Sequence, residues 1–227
     1  MRFSHFCVLL AASAAMLPAQ DETPDKRLRH ATDTLREIMA MPDKGIPRRL
    51  LDRARCLVVV PGMKKAAFVV GGQYGRGFAL CRSEWGWSAP APVRMTGGSF
   101  GVQLGADSTD IVLLVMGERG MSRLLSDKFK LGADVAIAAG PVGRDTSADT
   151  DVSMKAEILS WSRTRGLFAG VSLSGTVVEH DEGESKKLYD RPLSNHEIIS
   201  GDIKAPDSAR DLVAALTEMS PEKLKGQ

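Results

Sequence analysis

The chain has 227 residues, of which 43% are hydrophobic, 26% charged and 5% aromatic. That is enough to bury a core and too ordinary in glycine and proline for a fibrous or disordered chain. Thirty Lys+Arg against 28 Asp+Glu leave a formal charge of +2, so nucleic acid is not an expected partner and any anionic ligand must be held by a local patch.

The first segment reads as a leader. Arg2 precedes an apolar run from Phe6 to Leu17, and Pro18-Ala19-Gln20 gives way to a polar stretch. This order predicts a signal peptide over 1–20, cleaved near Ala19 or Gln20, and a soluble periplasmic or secreted product of 21–227. The run is too short to cross a bilayer. Cys7 lies too early in it to carry a lipid anchor. Cys56 and Cys81 then form an even pair, which an oxidising compartment favours as a disulfide. Two buried thiols beside apolar strands are the alternative.

Helical spacing of Leu28, Ala31, Leu35, Ile38 and Met39 predicts a helix over Asp25–Met41, and Pro47 can start a short second one. Cys56–Val60, Ala66–Val70, Gly77–Cys81, Pro92–Met95, Ser99–Leu104 and Asp110–Met116 read as short strands punctuated by turn residues. Gly71-Gly72-Gln73-Tyr74-Gly75-Arg76-Gly77 fits no phosphate-loop spacing and reads as a tight hairpin. A helix is expected from Gly117 to Lys130, then strands at Asp134–Ala138, Val152–Trp161 and Phe168–Val178. A turn-rich stretch and a helix at Pro206–Met219 follow. The order helix, many strands, helix predicts one α+β domain, an antiparallel barrel or sandwich-like sheet covered by N- and C-terminal helices.

No catalytic constellation is complete. Gly170-Val171-Ser172-Leu173-Ser174-Gly175 approaches a nucleophile elbow but has Ser where the closing Gly belongs, so a hydrolase on Ser172 or Ser174 is a minor reading. The acidic clusters Asp145/Asp149/Asp151 and 179–184 lack a calcium-loop pattern. No metal, cofactor or catalytic residue is therefore expected. Lys64-Lys65, Arg76, Trp87 and Ser160-Trp161-Ser162-Arg163-Thr164-Arg165 place cations beside amphipathic rings, as an anionic lipid headgroup would require. Sheet-surface charge around a core tryptophan is the alternative from spacing alone.

Several of these segments together resemble the SYLF domain. They are Leu57-Val58-Val59-Val60-Pro61, Lys64-Lys65-Ala66-Ala67-Phe68, Gly71-Gly72, Gly86-Trp87-Ser88-Ala89-Pro90, Gly97–Gly105, Gly140–Arg144, Ser160–Arg163 and Gly166–Gly175. The resemblance runs from about Asp33 to Leu216, with Trp161 where the family often has Tyr. It implies non-enzymatic binding of phosphatidic acid or phosphoinositide. Yeast relatives also bind actin, which is not expected to carry over to an exported chain. By residue type, Lys64, Lys65, Arg163 and Arg165 are assigned to phosphate, and Trp87 and Phe168 to acyl chain or glycerol, with the core as the alternative place for Phe168 and Trp161. A structural or protein-interaction role in the cell envelope, with an envelope protein as partner, is the alternative.

Overall fold

A computed structural model describes residues 22–41, 45–83, 86–141, 156–164, 167–171 and 173–221; for 66–70, 99–107, 167–168 and 170 it describes the backbone alone. Helix α1 (Pro24–Ala40) begins where Thr23 accepts from the Lys26 amide and proline occupies the first turn, a start that costs no hydrogen bond. The short α2 (Arg48–Arg53) follows.

The middle of the chain is built from two long strands, β1 (Cys56–Ser83) and β3 (Ala91–Val115), with the two-residue β2 (Gly86–Trp87) between them. Six expected short strands are therefore continuous stretches of two. The 71–77 segment is no hairpin: Gly71 to Gly77 pair in unbroken register with Ser99 to Val93. Glycines that suggested a turn are instead needed for close approach. A Cβ on Gly75 would meet Val60 Cγ1 at 2.7 Å and Met63 Cβ at 3.0 Å, and one on Gly77 would meet the Val59 carbonyl oxygen at 2.0 Å. Strand β1 thus doubles back on itself, with its two halves packed together. The fold falls at a register shift between Ala67 and Val69, where β3 passes from Gly105 to Gly101. Cys56 and Cys81, at the two ends of β1, are joined by a disulfide with Cα atoms 3.9 Å apart.

The remaining strands dock on the two arms of β3. Asp110–Val115 pairs with β6 (Ile158–Thr164) and Val93–Thr96 with β8 (Val177–His180). β4 (Lys128–Lys130) extends from β8, β7 (Leu167–Gly170) from β6, and β5 (Ile137–Ala139) runs parallel to β6. The result is a curled, mixed, eight-stranded sheet, α+β as expected. The expected helix over Gly117–Lys130 shortens to α3 (Glu118–Leu125), because its end becomes β4.

Both faces of the sheet are buried, which is why its strands read as continuous apolar runs rather than alternating ones. Leu57, Val59, Phe78, Leu80, Val112, Leu114 and Trp161 face Leu28, Leu35 and Ile38 of α1 and Leu212 and Leu216 of the last helix, α6 (Arg210–Met219). Val58, Val60, Ala79, Val93, Met95, Ile111 and Leu113 face the opposite layer with Leu124, Ile198 and Ile199. Period-two alternation along each strand sorts the two sets.

Two further helices occupy the stretch expected to be turns: α4 (Glu182–Tyr189) and α5 (Asn195–Ser200). Each is too short for a periodic signal, but its start is written in the sequence. Asp181 caps α4 by accepting from the Glu184 amide, and Ser194 with Glu197 forms a reciprocal capping box on α5, the Ser-x-x-Glu signature of a helix start.

Candidate functional site

The assigned cations converge on one end of a three-stranded patch formed by β1, β3 and β6. Lys64 and Lys65 pair in register with Ser108 and Asp107. Two residues further along β3, Asp110 pairs with Arg163. The link across the strands is direct. Gly62, at φ +61°, donates its amide to Asp110 Oδ1 at 2.8 Å, while Arg163 donates to Asp110 Oδ2 through Nε at 2.7 Å and Nη2 at 2.6 Å. Thr109 and Thr164 hydroxyls meet at 3.1 Å beside this pair.

The three described cations differ in state. Arg163 is consumed by structure: besides Asp110 it pairs with Glu37 of α1, so its charge is balanced on both sides. Lys64 is exposed and Lys65 half-buried, and neither side chain enters an ion pair or hydrogen bond with a described side chain; the side chain of Asp107, in register with Lys65, is not among those described. Arg165 lies outside the described residues. Phe168 is placed by its backbone alone, opposite Arg163 on β7.

Trp87 is not brought to this end. It lies at the disulfide end of β1, 9% exposed, stacked under Arg82 at 4.5 Å, and it donates its indole N–H to the Ser220 carbonyl at 3.3 Å. Arg82 is itself buried. It donates to the Ala54 carbonyl at 2.9 Å and the Leu51 carbonyl at 3.0 Å, and it contacts Ser220, whose hydroxyl also contacts Asp52. A buried arginine that donates to these carbonyls and to a hydroxyl ties the end of α2 to the end of α6. Tryptophan and arginine at this place are structural partners.

Trp161, completely buried, donates its indole N–H to the Pro141 carbonyl at 3.1 Å. A Cβ on Gly140 would strike its ring at 2.1 Å, so that glycine makes room for the indole.

A second concave region is an open cleft of about 760 Å³ lined by Arg76, Arg94, Lys128, Glu179, His180 and Asp181 among others. Its charges are matched: Arg94 to Glu179 at 2.9 Å, Lys128 to Glu179 at 3.4 Å, Arg76 to Asp181 at 2.9 Å. His180 Nδ1 lies 2.8 Å from Asn195 Oδ1. Burial pushes the Glu179 carboxyl up, but hydrogen bonds and charge from Arg94 and Lys128 outweigh it and hold the group below the usual carboxylate range. Within the acidic run over 179–184, Glu179 and Asp181 are thus engaged in ion pairs and a helix cap, while Glu182 is exposed. Glu184 completes it, buried against Arg27 of α1. The acidic cluster Asp145/Asp149/Asp151 and Ser172 lie outside the described residues; Ser174 is exposed in a turn beside Gly132.

Residues 96–219, more than half of the chain, match the family described as Ysc84, Las17-binding protein actin regulator. The chain belongs to the Ysc84/SYLF family. It is 30% identical to the bovine SH3 domain-containing YSC84-like protein 1 over 82% of this chain and 55% of that protein. It is 34% identical to an SH3 domain-containing protein of Schizosaccharomyces pombe over 75% of this chain and 40% of that one. Against Protein YSC84 of Saccharomyces cerevisiae the identity is 32%, over 77% and 38%. The chain spans about half the length of the animal relatives and two-fifths of the fungal ones. Family membership accords with the expected resemblance.

Proposed function

We propose that this chain is a non-enzymatic binding module for anionic phospholipid, of the phosphatidic acid or phosphoinositide type, acting as an exported envelope protein. The observation that carries the reading is the pair Lys64-Lys65. Two consecutive lysines stand at one end of the folded β1–β3 ribbon, with no ion pair to an acid whose side chain is described and with the Asp107 backbone in register with Lys65, whereas Arg163 nearby is already neutralised. A basic pair at one end of a nearly neutral chain gives a local field suited to a lipid phosphate. Phe168, whose backbone on β7 lies opposite Arg163, and Arg165, two residues after Arg163 in sequence, are assigned to the same end.

Co-sedimentation of the chain with vesicles of phosphatidic acid, phosphoinositide or neutral lipid, at low and high salt, tests this. Pelleting should be selective for the anionic vesicles and weaken with salt. Equal pelleting with neutral lipid, or none with any, overturns it.

A protein partner is the second reading, favoured by the family's own description as a Las17-binding actin regulator. It expects capture of one specific protein and indifference to vesicle charge.

A further inference from the structure

The folded-over part of the β1–β3 ribbon is built unlike the rest of the chain. From Ala66 to Gly75 on β1, and from Met95 to Ala106 on β3, there is no charged residue, in a chain that is 26% charged. Among the described pairings, β3 meets β8 only at Val93–Thr96 and β6 only at Asp110–Val115, so its 97–109 stretch is paired with β1 alone. Among the described residues this stretch therefore leaves the sheet as a two-stranded ribbon. Its fold lies at the register shift, which places Phe68 on β1 opposite Val102, Gln103 and Leu104 on β3. Val69 and Val70 follow, the latter in register with Phe100.

The base of this lobe is marked. Gly75 packs on Val60 and Met63, so their chain neighbours Lys64 and Tyr74 stand near the same level. Tyr74, 40% exposed, is the one large hydrophobic side chain in the open among the described residues, with Arg76 5.8 Å from its ring. An uncharged apex, a base that carries Lys64 and Lys65, with Asp107 in register with Lys65 and Arg76 paired to Asp181, and an amphipathic tyrosine at the same level match the layers of a lipid interface: acyl boundary, phosphate and headgroup.

We propose that the apex of the β1–β3 ribbon is a membrane-inserting element, which enters the headgroup–acyl boundary of an anionic bilayer while Lys64, Lys65 and Tyr74 remain at headgroup level. This rests on the reading of anionic-phospholipid binding given above. The depth is shallow on physical grounds. A two-stranded ribbon satisfies its inner backbone groups but leaves its outer edges unpaired, and open edges are not tolerated in the hydrocarbon centre. Insertion of roughly 5–10 Å, as for other interfacial elements, keeps those edges hydrated.

The test is a polarity-sensitive fluorophore on cysteine at Phe68→Cys, compared with Lys187→Cys on the exposed surface of α4, both in the full chain with Cys7→Ser. Vesicle pelleting is measured on the same samples. On phosphatidic acid vesicles, emission at position 68 should rise severalfold and shift to the blue, with no change at 187. Phe100→Asp should weaken vesicle binding at least about tenfold while thermal unfolding is retained. Pelleting with unchanged emission at position 68 overturns insertion and leaves lipid binding standing. Absence of pelleting removes the lipid reading first and the insertion with it. An emission rise without vesicles that grows with protein concentration assigns the apex to a second copy of the chain and also overturns the proposal.

Discussion

A Cβ placed on Gly77 would lie 2.0 Å from the carbonyl oxygen of Val59, a residue of the same strand, and 2.7 Å from the Val60 Cα. Both obstacles are backbone, so no rotamer change relieves them. Gly77→Ala should force the two halves of β1 apart and cost about 3 kcal/mol. At Gly72, within the same ribbon, nothing lies within 4 Å of the added carbon, and Gly72→Ala should stay within about 0.5 kcal/mol. Urea unfolding of the two variants beside the parent decides it; equal midpoints would show that β1 does not double back.

The disulfide acts on the same feature. Cys56 and Cys81 are completely buried and close the loop that contains the whole of β1 between them. Constraining that loop in the unfolded chain should contribute about 3 kcal/mol. Cys56→Ala with Cys81→Ala should lose that amount. In the parent, reduction by a soluble thiol should keep pace with unfolding, since neither sulfur is accessible before it. Alkylation of two free thiols in protein denatured without reductant would refute the bond.

These two relationships also show what the amino-acid order discloses. The first and last helices are legible because Leu28, Leu35 and Ile38, and Leu212 and Leu216, recur at helical spacing. The apolar runs at 56–60 and 110–116 are legible as strands. Doubling of β1 is not, because a glycine that permits a hairpin and one that permits two strands to touch are the same residue; only the Gly77–Val59 approach separates them. Likewise the bulk of Arg163 and Trp87 advertises a binding surface, while their partners, Asp110, Glu37 and Ser220, stand far away along the chain. Lys64 and Lys65 are legible as a basic pair, while their register opposite Ser108 and Asp107 is a fact of the fold.

The cleft beside β8 should set part of the acid stability. Glu179 is held below the usual carboxylate range in the folded protein by Arg94 and Lys128. A group whose folded pKa is depressed contributes stability above its unfolded value, about 4.3, and loses it as pH falls through the folded value. Stability should therefore decline on acidification below about pH 4.5, and Glu179→Gln should flatten that decline by an amount on the order of 0.5 kcal/mol, as for a partly exposed pair. Thermal unfolding between neutral pH and pH 3 measures the difference; parallel curves would remove Glu179 from the acid response.

Arg163 and the lysine pair should separate stability from binding. Arg163→Gln strips Asp110 and Glu37 of their shared cation. Asp110 is only 15% exposed at its side chain, so leaving it unpaired should cost about 1–2 kcal/mol, below the figure for a fully buried pair because water reaches the site. Since that charge is already balanced, vesicle affinity should change little. Lys64→Gln with Lys65→Gln removes no described ion pair and should leave stability within about 0.5 kcal/mol. At roughly 1 kcal/mol per lysine near an anionic surface, its affinity for phosphatidic acid vesicles should fall about 30-fold at low salt. Urea midpoints and pelleting curves on the two variants measure both axes. A lysine variant that binds like the parent would move the lipid contact away from this end of the ribbon, and an arginine variant that unfolds like the parent would show that the Asp110 pair carries no stability.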